Sequence, residues 1–197
     1  MRIVIFNYGV GNLYSIQTAL KREGVQPQLT KDVRKAKTAD GLLLPGVGSF
    51  TTATRTFPRN EMRDIVKSGK PLIGICLGLQ LFFDRSDEGP GRGLGIFPGR
   101  VKRLPSTMKV PQIGWNVLRI KNCSEFVEAV ANGSWVYYLH SYYAATHGKH
   151  VIATSEYGLE YPCLIAQGNV FGTQFHPEKS GKAGSMILRN FLRLVKG

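Results

Sequence analysis

Two segments of the sequence combine residue types that can perform acyl transfer through a cysteine. The first, Gly74-Ile75-Cys76-Leu77-Gly78, carries a cysteine with a glycine two residues away on each side. The second, Phe175-His176-Pro177-Glu178, carries a histidine and a carboxylate two positions apart. A thiol needs a base to take its proton, and that base needs a third group to orient it. We therefore predict a catalytic triad of Cys76, His176 and Glu178.

A third segment, Pro45-Gly46-Val47-Gly48, can supply the electrophilic part of such a site. Acyl transfer creates a negatively charged oxygen that N–H donors must stabilise, and glycines allow a loop to present its backbone N–H groups closely. We predict an oxyanion hole formed by Gly46, Val47 and Gly48 together with the amide of Leu77. Taken alone, the segment is an ordinary turn, and it gains significance only beside the other two.

The surrounding elements predict that all three segments reach one edge of a sheet. Lys70–Ile75 is an apolar strand that leads into Cys76, and Leu77–Phe83 continues as a helix, which is typical of a nucleophile elbow. The glycines allow the tight turn, and the helix N-terminus stabilises a thiolate. The alternative is a core cysteine flanked by glycines, and the motif by itself does not separate the two. His176 and Glu178 follow the last strand, where an extended segment would point both to the same side.

Strands alternate with helices in the first half of the chain, and strands predominate in the second. Alternation implies crossover connections and a mostly parallel central sheet with helices on both faces, to which the second half adds antiparallel strands. We predict that residues 1–197 form a single α/β domain of this class. The predicted strands are Arg2–Tyr8, Val25–Thr30, Asp40–Leu44, Lys70–Ile75, Pro111–Ile120, Trp135–Ala145, Val151–Tyr157, Cys163–Gln167 and Val170–Phe175, and the predicted helices are Leu13–Gly24, Glu61–Val66, Leu77–Phe83, Glu125–Ala131 and Met186–Lys196.

The composition argues against two classes of protein. The chain has 197 residues and a net charge of +13, from 26 basic and 13 acidic side chains. The excess is spread evenly with no basic arm, so a solvated surface is favoured over a nucleic-acid groove, and an acidic protein partner is a third explanation. With no apolar stretch of membrane-spanning length and no signal peptide, we expect a soluble, cytoplasmic protein that does not contact a membrane.

The cysteine and glycine spacings indicate no metal, disulfide or dinucleotide site. Cys76, Cys123 and Cys163 are far apart, no CxxC is present, and no histidine lies at ligand spacing from them. We expect Cys123 and Cys163 to be buried and inert, and we expect no cofactor. The turn Gly9–Asn12 follows a strand, but Tyr14 stands where the dinucleotide fingerprint needs a third glycine.

Four motifs, taken in order, show a family resemblance. PGVGSF (45–50), GICLGLQLFF (74–83), PQIGWN (111–116) and FHPEKS (175–180) resemble the class-I (triad-type) glutamine amidotransferases, and within them the glutaminase subunits of imidazole glycerol phosphate synthase. The resemblance runs from the first strand to the last helix. It implies that L-glutamine is hydrolysed to glutamate and ammonia through a γ-glutamyl thioester on Cys76, with His176 moving protons and Glu178 orienting the imidazole.

The resemblance also implies roles for residues that the spacing does not assign. It places the glutamine substrate against Gln80, Glu88, Ser141 and Tyr142, and the family often has Thr at the position of Ser141. It implies a (β/α)8-barrel cyclase partner, which receives ammonia through a tunnel. Because hydrolysis of glutamine without an acceptor is wasteful, we also predict low glutaminase activity in the isolated chain. The positions that face the partner are Asn12, Trp115, Tyr137 and Lys179.

Three alternatives remain open at this point. A glutaminase subunit of the same fold that serves another synthase shares the same motifs. A cysteine peptidase or γ-glutamyl hydrolase is disfavoured by Gln80 and by FHPEKS, which favour the amide of free glutamine. A basic nucleic-acid-binding domain is the alternative from a different class, and salt-dependent retention on DNA that persists in Cys76→Ala would distinguish it.

Overall fold

The computed structural model of the chain describes residues 1–9 and 11–197 and is built on an eight-stranded sheet. Five neighbouring strands run parallel and lie in the order β2-β1-β3-β4-β12, so β4 is flanked by β3 and β12. Because parallel strands end at the same edge of a sheet, their carboxyl ends form the usual place for a site in this class of fold. These strands are β1 (Ile3–Phe6), β2 (Gln28–Thr30), β3 (Gly41–Gly46), β4 (Leu72–Cys76) and β12 (Val170–Thr173).

The second half of the chain extends this sheet with antiparallel strands and adds two small sheets. The extension runs from β12 through β11 (Glu160–Gln167) and β10 (Val151–Glu156) to β7 (Arg119–Ile120). One small sheet pairs β5 (Arg100–Arg103) with β9 (Tyr142–Ala145). The other pairs β6 (Gln112–Val117) with β8 (Trp135–His140). The predicted fold class, a mostly parallel sheet with added antiparallel strands, is confirmed.

Helices cover both faces of the central sheet, and β1 shows how the sequence divides between them. Its alternate residues Ile3 and Ile5 pack in one apolar core, whereas Val4 and Phe6 pack in the other, as the two-residue period of a strand requires. The first core is closed by α1 (Leu13–Arg22) and α6 (Gly181–Lys196). The second is closed by α2 (Val33–Lys37), α3 (Phe50–Thr56), α4 (Arg59–Lys67) and α5 (Leu77–Gln80).

One predicted helix is shorter because its backbone carbonyls are used elsewhere. The helix expected over Leu77–Phe83 ends at Gln80. The carbonyl of Leu81 accepts from the N–H of Leu94, and that of Phe82 accepts from Ile96. These carbonyls accept hydrogen bonds from the loop that follows and not from residues four positions later, so the helical hydrogen-bond pattern stops and α5 is a single turn.

The bounds of three other predicted strands and helices also differ from those in the structure, and for two of them the structure shows the cause. Pro27 lacks the N–H that a strand needs, and the strand expected from Val25 begins at Gln28. The strand expected over Trp135–Ala145 is broken at Ser141, where the chain passes from the β6–β8 sheet to the β5–β9 sheet. The helix expected over Glu125–Ala131 is a 3₁₀ turn at Glu125–Val127.

The remaining differences are elements that the hydrophobic pattern did not indicate or bounds that it misplaced. The strand expected over Pro111–Ile120 is divided into β6 and β7, and α2, α3 and β5 were not predicted. The predicted turn Gly9–Asn12 includes Val10, which lies outside the described residues. Within residues 1–9 and 11–197, no helix combines the length and the apolar character needed to cross a membrane.

Candidate active site

Cys76 sits at a strained strand-to-helix turn. It ends β4 with φ +54° and ψ −105°, in the half of conformational space that L-residues rarely adopt. A Cβ on Gly78 would overlap the carbonyl oxygen of Leu44, and a Cβ on Gly74 would lie 2.6 Å from the carbonyl of Gly78. Both flanking glycines are therefore required by the turn, and the predicted elbow is confirmed. Such strain is worth of order 1–3 kcal/mol and is typical of functional sites.

His176 and Glu178 form a buried pair behind this cysteine. The imidazole Nδ1 lies 2.9 Å from the Glu178 Oε1, and the two side chains are 3% and 4% exposed. The expectation that an extended segment brings them together is wrong, because Pro177–Lys179 forms a 3₁₀ turn. The turn brings the carboxylate back to the ring two residues earlier, so the contact exists for a different reason.

The environment of His176 favours its protonated form. Burial alone lowers the pKa of His176, but the neighbouring Cys76 sulfur and the Glu178 carboxylate outweigh burial and raise the pKa to about 10. Within the described part of the chain, Nε2 makes no hydrogen bond, although the Cys76 sulfur lies close enough to raise the pKa of the imidazole. The nitrogen opposite Glu178 is thus available for proton transfer.

A pocket of about 250 Å³ opens beside Cys76. Its wall contains three of the four predicted oxyanion-hole positions and all four predicted substrate positions. Gly46 does not line the pocket; it pairs with Cys76 across β3 and β4, and a Cβ there would lie 2.7 Å from the Leu77 Cβ. The lining residues are Val47, Gly48, Cys76, Leu77, Gln80, Glu88, Pro111, Leu139, His140, Ser141 and Tyr142.

Gln80 and Glu88 are held in this pocket by hydrogen bonds to neighbouring elements. The Gln80 Nε2 donates to the Tyr142 carbonyl at 2.9 Å, which ties α5 to β9. The Glu88 Oε2 accepts from the backbone N–H of Phe50 at 2.6 Å, at the start of α3. Because α3 begins directly after the Gly46–Gly48 loop, the Glu88 carboxylate also fixes where that loop ends.

The family of the chain follows from comparison with known proteins. Residues 4–195 match the model of the family "Glutamine amidotransferase class-I". The chain belongs to the class-I glutamine amidotransferases. The resemblance and the enzyme class predicted from the motifs are confirmed.

Relatives of the amidotransferase match it over nearly its whole length. It is 47% identical to "Imidazole glycerol phosphate synthase subunit HisH" of Archaeoglobus fulgidus, over 98% of this chain and 99% of that protein. It is 44% identical to the HisH subunit of Bacillus cereus, over 98% and 95% respectively. It is therefore a member of the HisH group within the class-I family.

Solved structures support the fold of the amidotransferase. PurLQS from Thermotoga maritima superposes with a TM-score of 0.79 at 20% identity, over 98% of each chain. A crystal structure described as a glutamine amidotransferase gives a TM-score of 0.77 at 22% identity, over 100% of both chains. At such identities the likeness shows the fold alone.

Two residues of the amidotransferase site were given no role by the sequence motifs. Gln174 is fully buried, and its Nε2 lies 3.6 Å from the Cys76 Sγ. The Ser180 Oγ donates to the His176 carbonyl at 2.6 Å and accepts from the Tyr137 N–H at 3.0 Å. Gln174 immediately precedes FHPEKS, and Ser180 is its last residue. Their partners become apparent only from the strand pairing: Thr173 pairs with Ile75, which brings Gln174 beside the turn at Cys76.

Three of the four residues predicted to face a partner lie together on an exposed surface. Trp115 and Tyr137 are opposite each other in β6 and β8, with ring centroids 6.0 Å apart, and the Lys179 Nζ is 5.5 Å from the Tyr137 ring. Asn12, the fourth, is the N-cap of α1, where its side chain accepts from the Ser15 N–H at 3.3 Å.

The other cysteines and one histidine have structural surroundings. Cys163 is buried, and burial raises the pKa of its thiol to about 11. The expectation that Cys123 is buried is wrong, since it is exposed on the connection after β7. His140 is buried, with its Nδ1 2.9 Å from the Tyr142 carbonyl, and burial lowers its pKa to about 4.

Proposed function

We propose that this chain is the glutaminase subunit of an imidazole glycerol phosphate synthase. It hydrolyses L-glutamine and passes the ammonia to a cyclase subunit that makes imidazole glycerol phosphate in histidine biosynthesis. The observation that carries the chemistry is the strained Cys76 in the wall of a pocket, next to the buried His176–Glu178 pair. The nearly full-length relatedness to HisH subunits carries the choice of synthase.

The first half of the reaction transfers the γ-glutamyl group to sulfur. His176 takes the Cys76 proton, and the thiolate attacks the side-chain amide carbon of glutamine. The resulting oxyanion is stabilised by the Leu77 N–H and by Val47 and Gly48 of the loop after β3, whereas Gly46 pairs with Cys76 and lies outside the pocket wall. When the C–N bond breaks, the imidazolium gives its proton to the leaving nitrogen, so neutral ammonia departs and a thioester remains.

The second half releases glutamate. Water replaces ammonia, and His176, now neutral, takes a proton from this water as it attacks the thioester carbon. Collapse of the second tetrahedral intermediate breaks the C–S bond and returns the proton to sulfur through the imidazole. Glu178 keeps the Nδ1 side of the ring protonated throughout, so that Nε2 is the nitrogen that exchanges protons.

The pocket walls supply complementary contacts for glutamine. Both donors of the Gln80 amide are engaged, one by the Tyr142 carbonyl and one by Gln174, so its Oε1 is the atom left to accept from a substrate N–H. The Glu88 carboxylate provides negative charge for the α-ammonium group. Ser141 and Tyr142 complete the wall at the junction of β8 and β9.

The exposed aromatic surface on β6 and β8 is proposed to receive the cyclase, a (β/α)8 barrel, together with Lys179 and Asn12. Ammonia released into neutral water becomes ammonium, which is not a nucleophile, so direct transfer to a second active site favours a docked partner. We further propose that residues 1–197 act as one amidotransferase domain in the cytoplasm. The three free thiols of the chain fit a reducing compartment.

The test uses an electrophilic analogue of glutamine and mass spectrometry of the intact chain. We expect one adduct, on Cys76, that is lost in Cys76→Ser and retained in the matched variant Cys163→Ala. Adding the cyclase subunit of an imidazole glycerol phosphate synthase, with its ligand, should raise glutaminase turnover and yield imidazole glycerol phosphate. An adduct on Cys123 or Cys163 instead would contradict the catalytic assignment, and transfer of ammonia only to a different synthase would contradict the choice of partner.

A further inference from the structure

We propose that Gln174 is a positioning residue that stabilises the Cys76 thiolate and links it to Gln80 in the substrate pocket. The inference rests on the proposed function, since it takes Cys76 as the nucleophile. It concerns a contact that the triad does not contain: the Gln174 Nε2 is 3.6 Å from the Cys76 Sγ, and its Oε1 is 3.5 Å from the Gln80 Nε2.

The direction of this chain of hydrogen bonds is fixed at its far end. The carbonyl of Tyr142 is only an acceptor, so the Gln80 atom that it contacts at 2.9 Å must be the amide nitrogen. The Gln174 atom facing that same nitrogen must then be its oxygen. With its oxygen committed to Gln80, Gln174 turns its N–H donors toward the sulfur of Cys76. A sulfur that accepts a hydrogen bond is stabilised as a thiolate.

The fold holds Gln174 in this position. The register of β4 and β12 places it beside Cys76, one residue beyond the Thr173–Ile75 pair. Its backbone N–H donates to the Cys163 carbonyl at 2.8 Å, and its side chain is 0% exposed. Burial of an amide is unfavourable unless both of its ends are hydrogen-bonded, and here Gln80 and the Cys76 sulfur are the partners.

A second contact of the sulfur acts in the opposite sense. The Cys76 Sγ also lies 3.6 Å from the Leu139 carbonyl oxygen, to which only a protonated thiol can donate. That carbonyl favours the thiol, whereas the Gln174 amide favours the thiolate. The single-turn helix α5 has few aligned peptides behind its N-terminus, so its macrodipole adds little. Apart from the His176 imidazolium, the Gln174 side-chain donor is therefore the contact that shifts the balance toward the thiolate.

The link to Gln80 makes the thiolate sensitive to substrate. A substrate N–H that binds the Gln80 Oε1 polarises the Gln80 amide, which strengthens its donation to Gln174 and, in turn, the donation from Gln174 to sulfur. Loss of Gln174 should therefore affect both the reactivity of Cys76 and the affinity for glutamine.

The test measures the rate at which iodoacetamide alkylates Cys76 as a function of pH, in the full chain carrying Cys123→Ser and without glutamine or partner. In Gln174→Met, which keeps the volume and removes the donor, the midpoint of the pH–rate profile should rise by about one pH unit. With the cyclase present, kcat should fall about tenfold or more and KM for glutamine should rise a few-fold.

Further variants and outcomes keep the inference falsifiable. Gln174→Glu replaces the donor with a carboxylate of the same shape and should raise the midpoint of the pH–rate profile at least as far. This variant provides the test if Gln174→Met does not fold. A midpoint unchanged in whichever variant folds, even with lower stability, would show a merely structural role and overturn the inference. If Cys76 is not alkylated by the glutamine analogue in the unsubstituted chain, the proposed function fails instead.

Discussion

At the scale of single residues, Cys76 is the clearest case of strain kept for reactivity. Its φ of +54° is a conformation in which a Cβ is unfavourable and glycine is not. Two substitutions remove the thiol, but Cys76→Ala keeps the Cβ and Cys76→Gly removes it. Their difference in stability therefore measures the backbone strain independently of the loss of activity.

We predict that Cys76→Gly is more stable than Cys76→Ala by about 1 kcal/mol, although both are inactive. Urea unfolding of the two variants measures the difference. Ala53→Gly in α3, where the backbone is helical, provides a control in which glycine should lower stability by a similar amount. If Cys76→Ala proved the more stable of the pair, the turn would not be strained.

His140 should make the stability of the chain depend on acid pH. Burial lowers its pKa to about 4, while an unfolded histidine titrates near 6.5. Between these values the unfolded state binds the additional proton, so the contribution of His140 to stability is fully present above pH 6.5. It is lost as the pH drops toward 4, by up to about 1.4 kcal/mol per pH unit.

We predict that His140→Asn reduces this loss, since an amide can donate to the Tyr142 carbonyl without titrating. Urea unfolding at pH 7, 6 and 5 gives the comparison, and His147→Asn, at an exposed histidine, should follow the parent chain. Parallel pH curves for His140→Asn and the parent would rule out His140 as the source.

At the scale of elements, the sequence predicted those elements best whose conformation is determined by steric contacts of neighbouring residues. It predicted those elements worst that depend on residues distant in the sequence. Gly74 and Gly78 revealed the elbow because their lack of a Cβ is itself the requirement. In contrast, α3 contains Thr51, Thr52 and Thr54, which are poor helix formers. It begins because Ser49 caps it and the Glu88 carboxylate, 38 residues away in sequence, accepts from the Phe50 N–H.

The same distinction explains which parts of the site were predicted. Cys76, His176 and Glu178 carry recognisable chemistry in short motifs. Gln174 acts only through the pairing of β12 with β4, and Ser180 only through β8. Register between strands about 100 residues apart is set by packing of the whole sheet, and no local pattern states it.

The turn from β4 into α5 supports a prediction about element packing. A Cβ on Gly78 would overlap the Leu44 carbonyl of β3, whereas a Cβ on Gly24 meets no atom within 4 Å but has a φ of +80°. We predict that Gly78→Ala lowers stability by about 3 kcal/mol or more, and Gly24→Ala by about 1 kcal/mol, from backbone strain alone. Thermal unfolding compares them. Equal losses would mean that the elbow has room to adjust.

At the scale of the whole molecule, two properties bear on assembly. The net charge of +13 acts over long distances and affects how fast a partner of opposite charge associates, with a dependence on salt. The aromatic surface acts only on contact and affects how slowly the complex separates. The two contributions can therefore be measured separately as association and dissociation rates.

The outward face of the β6–β8 sheet carries the last prediction. Ile113, Trp115 and Trp135 are 61%, 53% and 60% exposed, and an apolar surface of this kind is typical of an interface. Trp115 packs edge-on against Tyr137, which itself contacts Lys179, the residue after Glu178. A partner bound at this surface would therefore contact side chains that pack against the segment carrying Glu178.

We predict that Trp115→Ala weakens binding to the cyclase by roughly 30-fold, mainly through faster dissociation, because large aromatic side chains dominate such interfaces. Surface plasmon resonance with immobilised cyclase, at low and high salt, measures both rates. Leu29→Ala, at an exposed residue of the edge strand β2, is the control and should bind normally. Trp115→Ala should also need more cyclase to reach full glutaminase activity, and unchanged dissociation would place the interface on another surface of the molecule.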